Sequence, residues 1–71
     1  MTRAERGVLV QRGGVLLELA TLHRNAAAVL TEHTLIPLAE ELAAALRIWA
    51  DQLDDTSAAL SRLVLETRRG Q

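Results

Sequence analysis

A strict apolar repeat is the feature that most constrains how this 71-residue chain can fold. Val8, Val15, Leu22, Val29 and Ile36 follow one another at intervals of seven residues without interruption. Residues seven apart share one face of an α-helix, and a sustained repeat of seven is typical of helices that pack with a slight left-handed supercoil. The first half of the chain is therefore predicted to form a long amphipathic helix.

Small residues form two columns beside this apolar stripe. The columns are Gly7, Gly14, Thr21 and Ala28, and Gly13, Ala20 and Ala27. Side chains this small would let a second helix approach closely. The alternative is that alanine and glycine are simply common in this chain, and the sequence leaves both interpretations open.

The second half of the chain carries its own apolar stripe, at steps of three and four residues. Its members are Leu35, Leu38, Leu42, Leu46, Trp49, Leu53, Thr56, Leu60 and Leu63. The stripe keeps its phase through the polar residues Asp54 and Asp55. One continuous helix is therefore predicted, although a break near Asp55, which would give three helices, stays open.

Proline and glycine suggest the boundaries of these helices. Pro37 disfavours helix at the residue before it, and Thr34 suits an N-cap. Gly13 and Gly14 each cost about 0.5–1 kcal/mol in a helix interior. We therefore predict a frayed or loosely helical arm over residues 1–13 and a hairpin over 14–71. Within the hairpin, helix 1 is predicted to cover about 14–32 and helix 2 about 35–69, with the turn at about 31–35 and Gly70 ending helix 2. The alternative that residues around 8–17 form a hairpin of two strands stays open.

The fold class predicted is all-α, a two-helix antiparallel hairpin of coiled-coil type. One stripe from each helix is expected to be buried between them, which leaves Val10, Leu17, Ile48, Val64 and Leu65 outside the contact. Each such side chain left in water forgoes about 1.5–3 kcal/mol, and a chain this short buries little core. We therefore expect the hairpin to complete a helical bundle, either by oligomerisation or with a partner protein. The predicted interface residues are Val15, Leu19, Leu22, Val29, Leu38, Leu42, Leu46, Trp49, Leu53, Leu60 and Leu63.

Charge is distributed unevenly although the formal net charge is only −1. In an antiparallel hairpin both termini meet at one end, and most of the arginines lie near the termini. Residues 37–55 hold five acidic residues against Arg47, a net charge of −4. Such polarity is typical of helix-dipole complementarity with solvated faces, or of charge-matched docking to a partner.

The sequence offers little for catalysis or cofactor binding. Neither His23 nor His33 has a glutamate three residues before it, so the ligand pair of di-iron bundles is absent. Asp51, Asp54 and Asp55 could attract a cation, but a solvated acidic face is the simpler interpretation. There is no cysteine and no glycine-rich phosphate loop. No enzyme activity, cofactor, metal or small-molecule substrate is therefore predicted.

The function predicted is that of a non-enzymatic interaction module, such as a small subunit, adaptor or chaperone that acts by helix-on-helix packing. The alternative is a nucleic-acid-binding regulator, because residues 56–63 after 38–42 resemble a helix-turn-helix pair. That resemblance is weak, since a long acidic segment replaces the short turn. No charge-free run exceeds seven residues, and Glu18 interrupts the apolar run that a signal peptide needs. The cytoplasm is the expected location.

Overall fold

The computed structural model describes residues 1–33 and 36–69, which form two long helices. Helix α1 spans Arg3–His33 and helix α2 spans Pro37–Arg69. They run antiparallel and pack side by side into a rod of 54 × 14 × 12 Å. The predicted all-α two-helix hairpin is confirmed. The cap predicted at Thr34, the stripe position Leu35 and the terminator Gly70 lie outside the described residues.

Helix α1 begins at Arg3, so residues 3–13 belong to the helix and not to a separate arm. The reason is a capping box. The backbone N–H of Thr2 donates to Oε1 of Glu5 at 2.9 Å, and the backbone N–H of Glu5 donates to Oγ1 of Thr2 at 3.2 Å. Two N–H groups that a helix start would otherwise leave unpaired are thus satisfied. Residues 8–17 are helical, so the strand hairpin is not formed.

This capping box makes the start of α1 sensitive to acid. The hydrogen bonds from Thr2 hold the pKa of Glu5 below its ordinary value of 4.5. The box therefore contributes stability above pH 4.5 that is lost as the pH falls through the lowered pKa. We expect the first turn of α1 to fray on acidification, measured by Cα chemical shifts of residues 2–6. Glu5→Gln, which does not titrate, should remove this pH dependence; an unchanged titration in that variant would contradict the assignment.

Helix α2 is unbroken from Pro37 to Arg69, so the break considered near Asp55 is not formed. Proline is well suited to the first helical position, where its missing N–H costs nothing. The N–H groups of Ala39 and Glu40 donate to the carbonyl oxygen of Ile36 at 3.0 and 3.4 Å. The predicted turn over 31–35 is also too early, because Thr31 is still helical and donates to the carbonyl oxygen of Ala27 at 3.1 Å.

The contact between the helices is built from the small residues. The buried positions are Gly13, Ala20 and Ala27 on α1, and Ala39, Ala43, Ala50, Ser57 and Val64 on α2. Across this contact the Ser57 hydroxyl donates a buried 2.9 Å hydrogen bond to the carbonyl oxygen of Gly13. One heptad along each helix from this pair, Ala20 lies opposite Ala50, and both are essentially inaccessible to solvent.

This arrangement corrects the expectation that the large-residue stripes are buried between α1 and α2. Val8, Val15, Leu22 and Val29 are all exposed, whereas Val64, predicted to lie outside the contact, is buried. Small side chains let the backbones approach closely, and a close approach leaves no room for leucine or valine along the centre of the contact. The column of Gly13, Ala20 and Ala27 is therefore the close-packing face, the half-buried Leu16, His23 and Leu30 flank it, and the stripe of Val15, Leu22 and Val29 is turned away from α2.

The two adjacent glycines of α1 have different environments, which leads to a prediction. A Cβ atom on Gly13 would lie 3.4 Å from Oγ of Ser57, whereas one on Gly14 would meet nothing within 4 Å. Gly14→Ala should therefore stabilise the protein by about 0.5–1 kcal/mol through helix propensity alone. Urea unfolding followed by circular dichroism measures the change. Gly13→Val is the contrasting variant and should lose stability; a gain equal to that of Gly14→Ala would contradict the close approach.

Candidate interaction surface

One side of the hairpin presents large apolar side chains to solvent, and we call this side the apolar face. Its members are Leu19 of α1 and Leu42, Trp49 and Leu63 of α2, and Trp49 is 52% exposed. The stripe of Val8, Val15, Leu22 and Val29 is also exposed, but it lies about 200° around α1 from the buried column of Gly13, Ala20 and Ala27, on the outer edge of that helix. Leu38 lies on the outer edge of α2.

The apolar face adjoins a half-buried column of larger residues on each helix. On α2 this column is Leu46, Leu53 and Leu60, and on α1 it contains Leu16, His23 and Leu30. Trp49 follows Leu46 by three residues and precedes Leu53 by four, so it lies beside both on the same side of α2. The half-buried leucines therefore form the floor between the exposed side chains of the two helices.

Contacts between the helices establish which sides coincide. The ring of His23 meets the edge of the Trp49 ring, with centroids 6.4 Å apart and planes at 70°. Both rings line a shallow groove of about 390 Å³ with Gln52, Leu53 and Thr56. Since His23 lies one turn from Leu19, and Trp49 lies seven residues from Leu42, the exposed Leu19 of α1 and the exposed Leu42 and Trp49 of α2 are on the same side of the rod.

The other side of the rod is charged at mid-length. Arg24 donates to Asp51 at 2.9 Å and also to Asp54. The hydrogen bond to Asp54 contributes most to raising the pKa of Arg24 above its ordinary value, and the hydrogen bond to Asp51 contributes next. Two of the three aspartates considered as a cation site, Asp51 and Asp54, are thus paired with Arg24. Among residues 1–33 and 36–69, no group of three or more histidine or acidic side chains is arranged to hold a metal ion.

The eleven predicted interface residues do not all lie on one side of the hairpin. Leu46, Leu53 and Leu60 are half-buried, Leu19, Leu42, Trp49 and Leu63 form the apolar face, and Val15, Leu22, Val29 and Leu38 lie on the outer edges of the helices. That these residues bind another chain stays a prediction.

The two histidines of α1 have different surroundings. His23 packs against the ring of Trp49. His33 is exposed, with Nε2 3.9 Å from Oε2 of Glu32. The two segments compared with a helix-turn-helix lie on one unbroken helix, α2, without the turn that separates the helices of that motif.

Within the part of the chain that the structure describes, neither helix is long and apolar enough to cross a membrane. Comparison with protein-family models, with curated proteins and with solved structures gave no match.

Proposed function

We propose that this protein is a non-enzymatic interaction module that binds helices of a protein partner through the apolar face. The exposed apolar face carries this proposal. Helices of a monomeric hairpin would normally turn polar residues outward, whereas here Leu19, Leu42, Trp49 and Leu63 are exposed on one side. Five further large apolar side chains are exposed on the outer edges of the two helices, namely Val8, Val15, Leu22, Val29 and Leu38. Contiguous exposed apolar surface marks protein interaction sites in soluble proteins.

The shape of the molecule also supports association. Its radius of gyration is 16.1 Å, against about 11 Å for a compact domain of this length. A second layer of helices on the apolar face would convert the thin rod into a bundle with a central core. The half-buried leucines would then become fully buried. Subunit, adaptor and chaperone are roles that such a module can serve, and the cytoplasmic location stays a prediction.

A paired substitution tests this proposal. Leu42→Asp places a charge on the apolar face, whereas Ile48→Asp places the same charge on a somewhat more exposed site on the outer side of α2, turned away from α1. We expect Leu42→Asp to abolish association, with itself or with another protein, and Ile48→Asp to preserve it. Light scattering after size exclusion gives the mass of each purified variant and so reports self-association. Affinity capture from cell extract identifies other proteins that are bound by the wild type and by Ile48→Asp but not by Leu42→Asp.

The proposal is contradicted if Leu42→Asp matches the wild type in both measurements. Circular dichroism on the same samples separates loss of binding from loss of helix.

A further inference from the structure

We infer that a groove at the open end of the rod is a binding site for a compact phosphate-bearing ligand, which arginines of both helices would hold. The open end is where α1 begins and α2 ends, and there the Thr67 hydroxyl donates to Sδ of Met1 at 3.9 Å. The groove has a volume of about 560 Å³, and small-molecule sites in proteins occupy about 300–1,000 Å³. Its lining residues are Arg3, Arg6, Gly7, Val10, Val64 and Arg68.

The register of the two helices brings this groove together. Gly13 faces Ser57, so one heptad further along each helix Arg6 lies level with Val64. Arg68 follows Val64 by four residues and therefore lies one turn along the same side of α2. Val64 is buried. It thus forms an apolar floor between arginines that come from α1 and from α2.

The lining of the groove is positively charged. It contains three arginines and no acidic residue. Among residues 1–33 and 36–69, no carboxylate pairs with Arg3 or Arg68, and the side chain of the nearby Glu5 accepts the N–H of Thr2. Arg6 donates to the carbonyl oxygen of Met1 at 3.3 Å, which orients its side chain. An anion in the groove would be attracted by all three guanidinium groups together.

Helix dipoles do not explain the arginines that α1 contributes. Arg68 lies in the last turn of α2, where the dipole favours a positive charge. Arg3 and Arg6 lie within the first four residues of α1, where the dipole favours acidic side chains instead. Their position is thus unfavourable for the isolated helix, and a bound anion would compensate for it.

Gly7 keeps space open beside these arginines. Glycine is less favourable than alanine in a helix interior. At Gly13 a close contact with Ser57 offsets that cost, whereas a Cβ atom on Gly7 would meet nothing within 4 Å. A side chain at Gly7 would project into the groove. The glycine therefore leaves room for a ligand rather than for the second helix.

The chemistry of the lining favours phosphate. A guanidinium group donates two parallel hydrogen bonds to oxyanions, and arginine is the residue best suited to recognise phosphate in this way. A terminal phosphate group offers three oxygens and close to two negative charges. The phosphate or diphosphate group of a small molecule therefore fits a groove with three arginines.

The charge of the neighbouring surface limits the size of this ligand. Arg6 precedes Arg24 by about five helical turns, so the groove lies on the same side of the rod as Asp51 and Asp54. An extended polyanion along this side would meet those carboxylates. The same placement puts the groove on the side away from the apolar face, so this inference is independent of the proposed function.

Titration of the purified chain with inorganic pyrophosphate, followed by calorimetry, tests the inference. We expect saturable binding that acetate at the same ionic strength does not reproduce. Arg68→Gln should weaken this binding by about tenfold or more, because hydrogen bonds between charged groups are the strong ones. Arg62→Gln is the matched control, since Arg62 is exposed near the same end of α2 but does not line the groove. It should stay within about twofold of the wild type, because salt screens charges outside the site.

Gly7→Leu is a second variant, which fills the groove and leaves every charge in place. It should abolish pyrophosphate binding while circular dichroism shows undiminished helix. Three results would each overturn the inference. They are a wild-type chain without saturable binding, equal losses in Arg62→Gln and Arg68→Gln, and full binding by Gly7→Leu.

Vesicles distinguish the two sources of such a phosphate group. Protein that sediments with phosphatidylcholine vesicles only when they contain phosphatidic acid, and no longer does so as Arg68→Gln, would identify a lipid headgroup. Pyrophosphate binding without sedimentation would identify a soluble ligand. Short duplex DNA that binds more tightly than pyrophosphate, with equal losses in Arg62→Gln and Arg68→Gln, would show diffuse attraction to a polyanion and overturn the inference.

Discussion

Ala43→Leu is expected to destabilise the hairpin by about 1–3 kcal/mol. Ala43 is fully buried, and one heptad steps along both helices from Ala20 and Ala50 place it opposite Ala27. A leucine there must either separate the helices or adopt a strained rotamer, because the contact has no space for its additional carbons. A chain of this length has a total stability of only about 4–11 kcal/mol, so the loss is a large fraction. The midpoint of urea unfolding, followed by circular dichroism, measures it.

The adjacent residue provides the control for this prediction. Ala44 is exposed, and Ala44→Leu makes the same chemical change in the same helix without entering the contact. We expect Ala44→Leu to unfold within about 0.5 kcal/mol of the wild type, as surface substitutions usually do. If Ala43→Leu were as stable as Ala44→Leu, the helices would not be packed through their small residues.

Trp49→Ala is expected to weaken association through the apolar face by about 2 kcal/mol or more, which is about 30-fold in the dissociation constant. Trp49 is the one aromatic residue of the chain other than its histidines, and it is half-exposed on the apolar face. Burial of a large ring in a partner removes more apolar surface from water than any other side chain here provides. Sedimentation across a concentration series, or titration with an identified partner, gives the constant.

Ile48→Ala is the matched control, because Ile48 is the neighbouring residue, is 57% exposed and lies on the outer side of α2. It should leave the dissociation constant within about twofold, as expected for a surface change outside an interface. Helicity must be compared as well, because Trp49 also meets the ring of His23. Equal effects of the two substitutions on association would show that Trp49 does not anchor a partner.

The start of α1 can be read from the sequence, although the predicted helix boundary did not take it into account. Thr2-Arg3-Ala4-Glu5 has the spacing of a capping box, and it places the start of α1 at Arg3. The prediction of an arm gave weight to the glycine pair instead. Helix propensity is a weak guide at such positions, because a close tertiary contact can offset its cost. At Gly13 the contact is with Ser57.

The assignment of the two apolar stripes to the contact between the helices failed for a different reason. Periodicity identifies which residues share a face, but a helix with both a leucine-valine stripe and an alanine-glycine column has two faces that could meet a neighbour. Hydrophobicity favours the stripe that includes Leu22, whereas close approach favours the column that includes Ala20. The structure selects the column, and the stripe is left exposed on the outer edge of α1.

The sequence by itself determined the helical fold and the hairpin, because both follow from composition, a proline and the helical period. The tertiary structure alone decided that Gly13, Ala20, Ala43 and Ala50 lie between the helices and that Trp49 lies outside. That decision depends on how closely two backbones can approach, which is a property of both helices together and is not encoded in the pattern of either one.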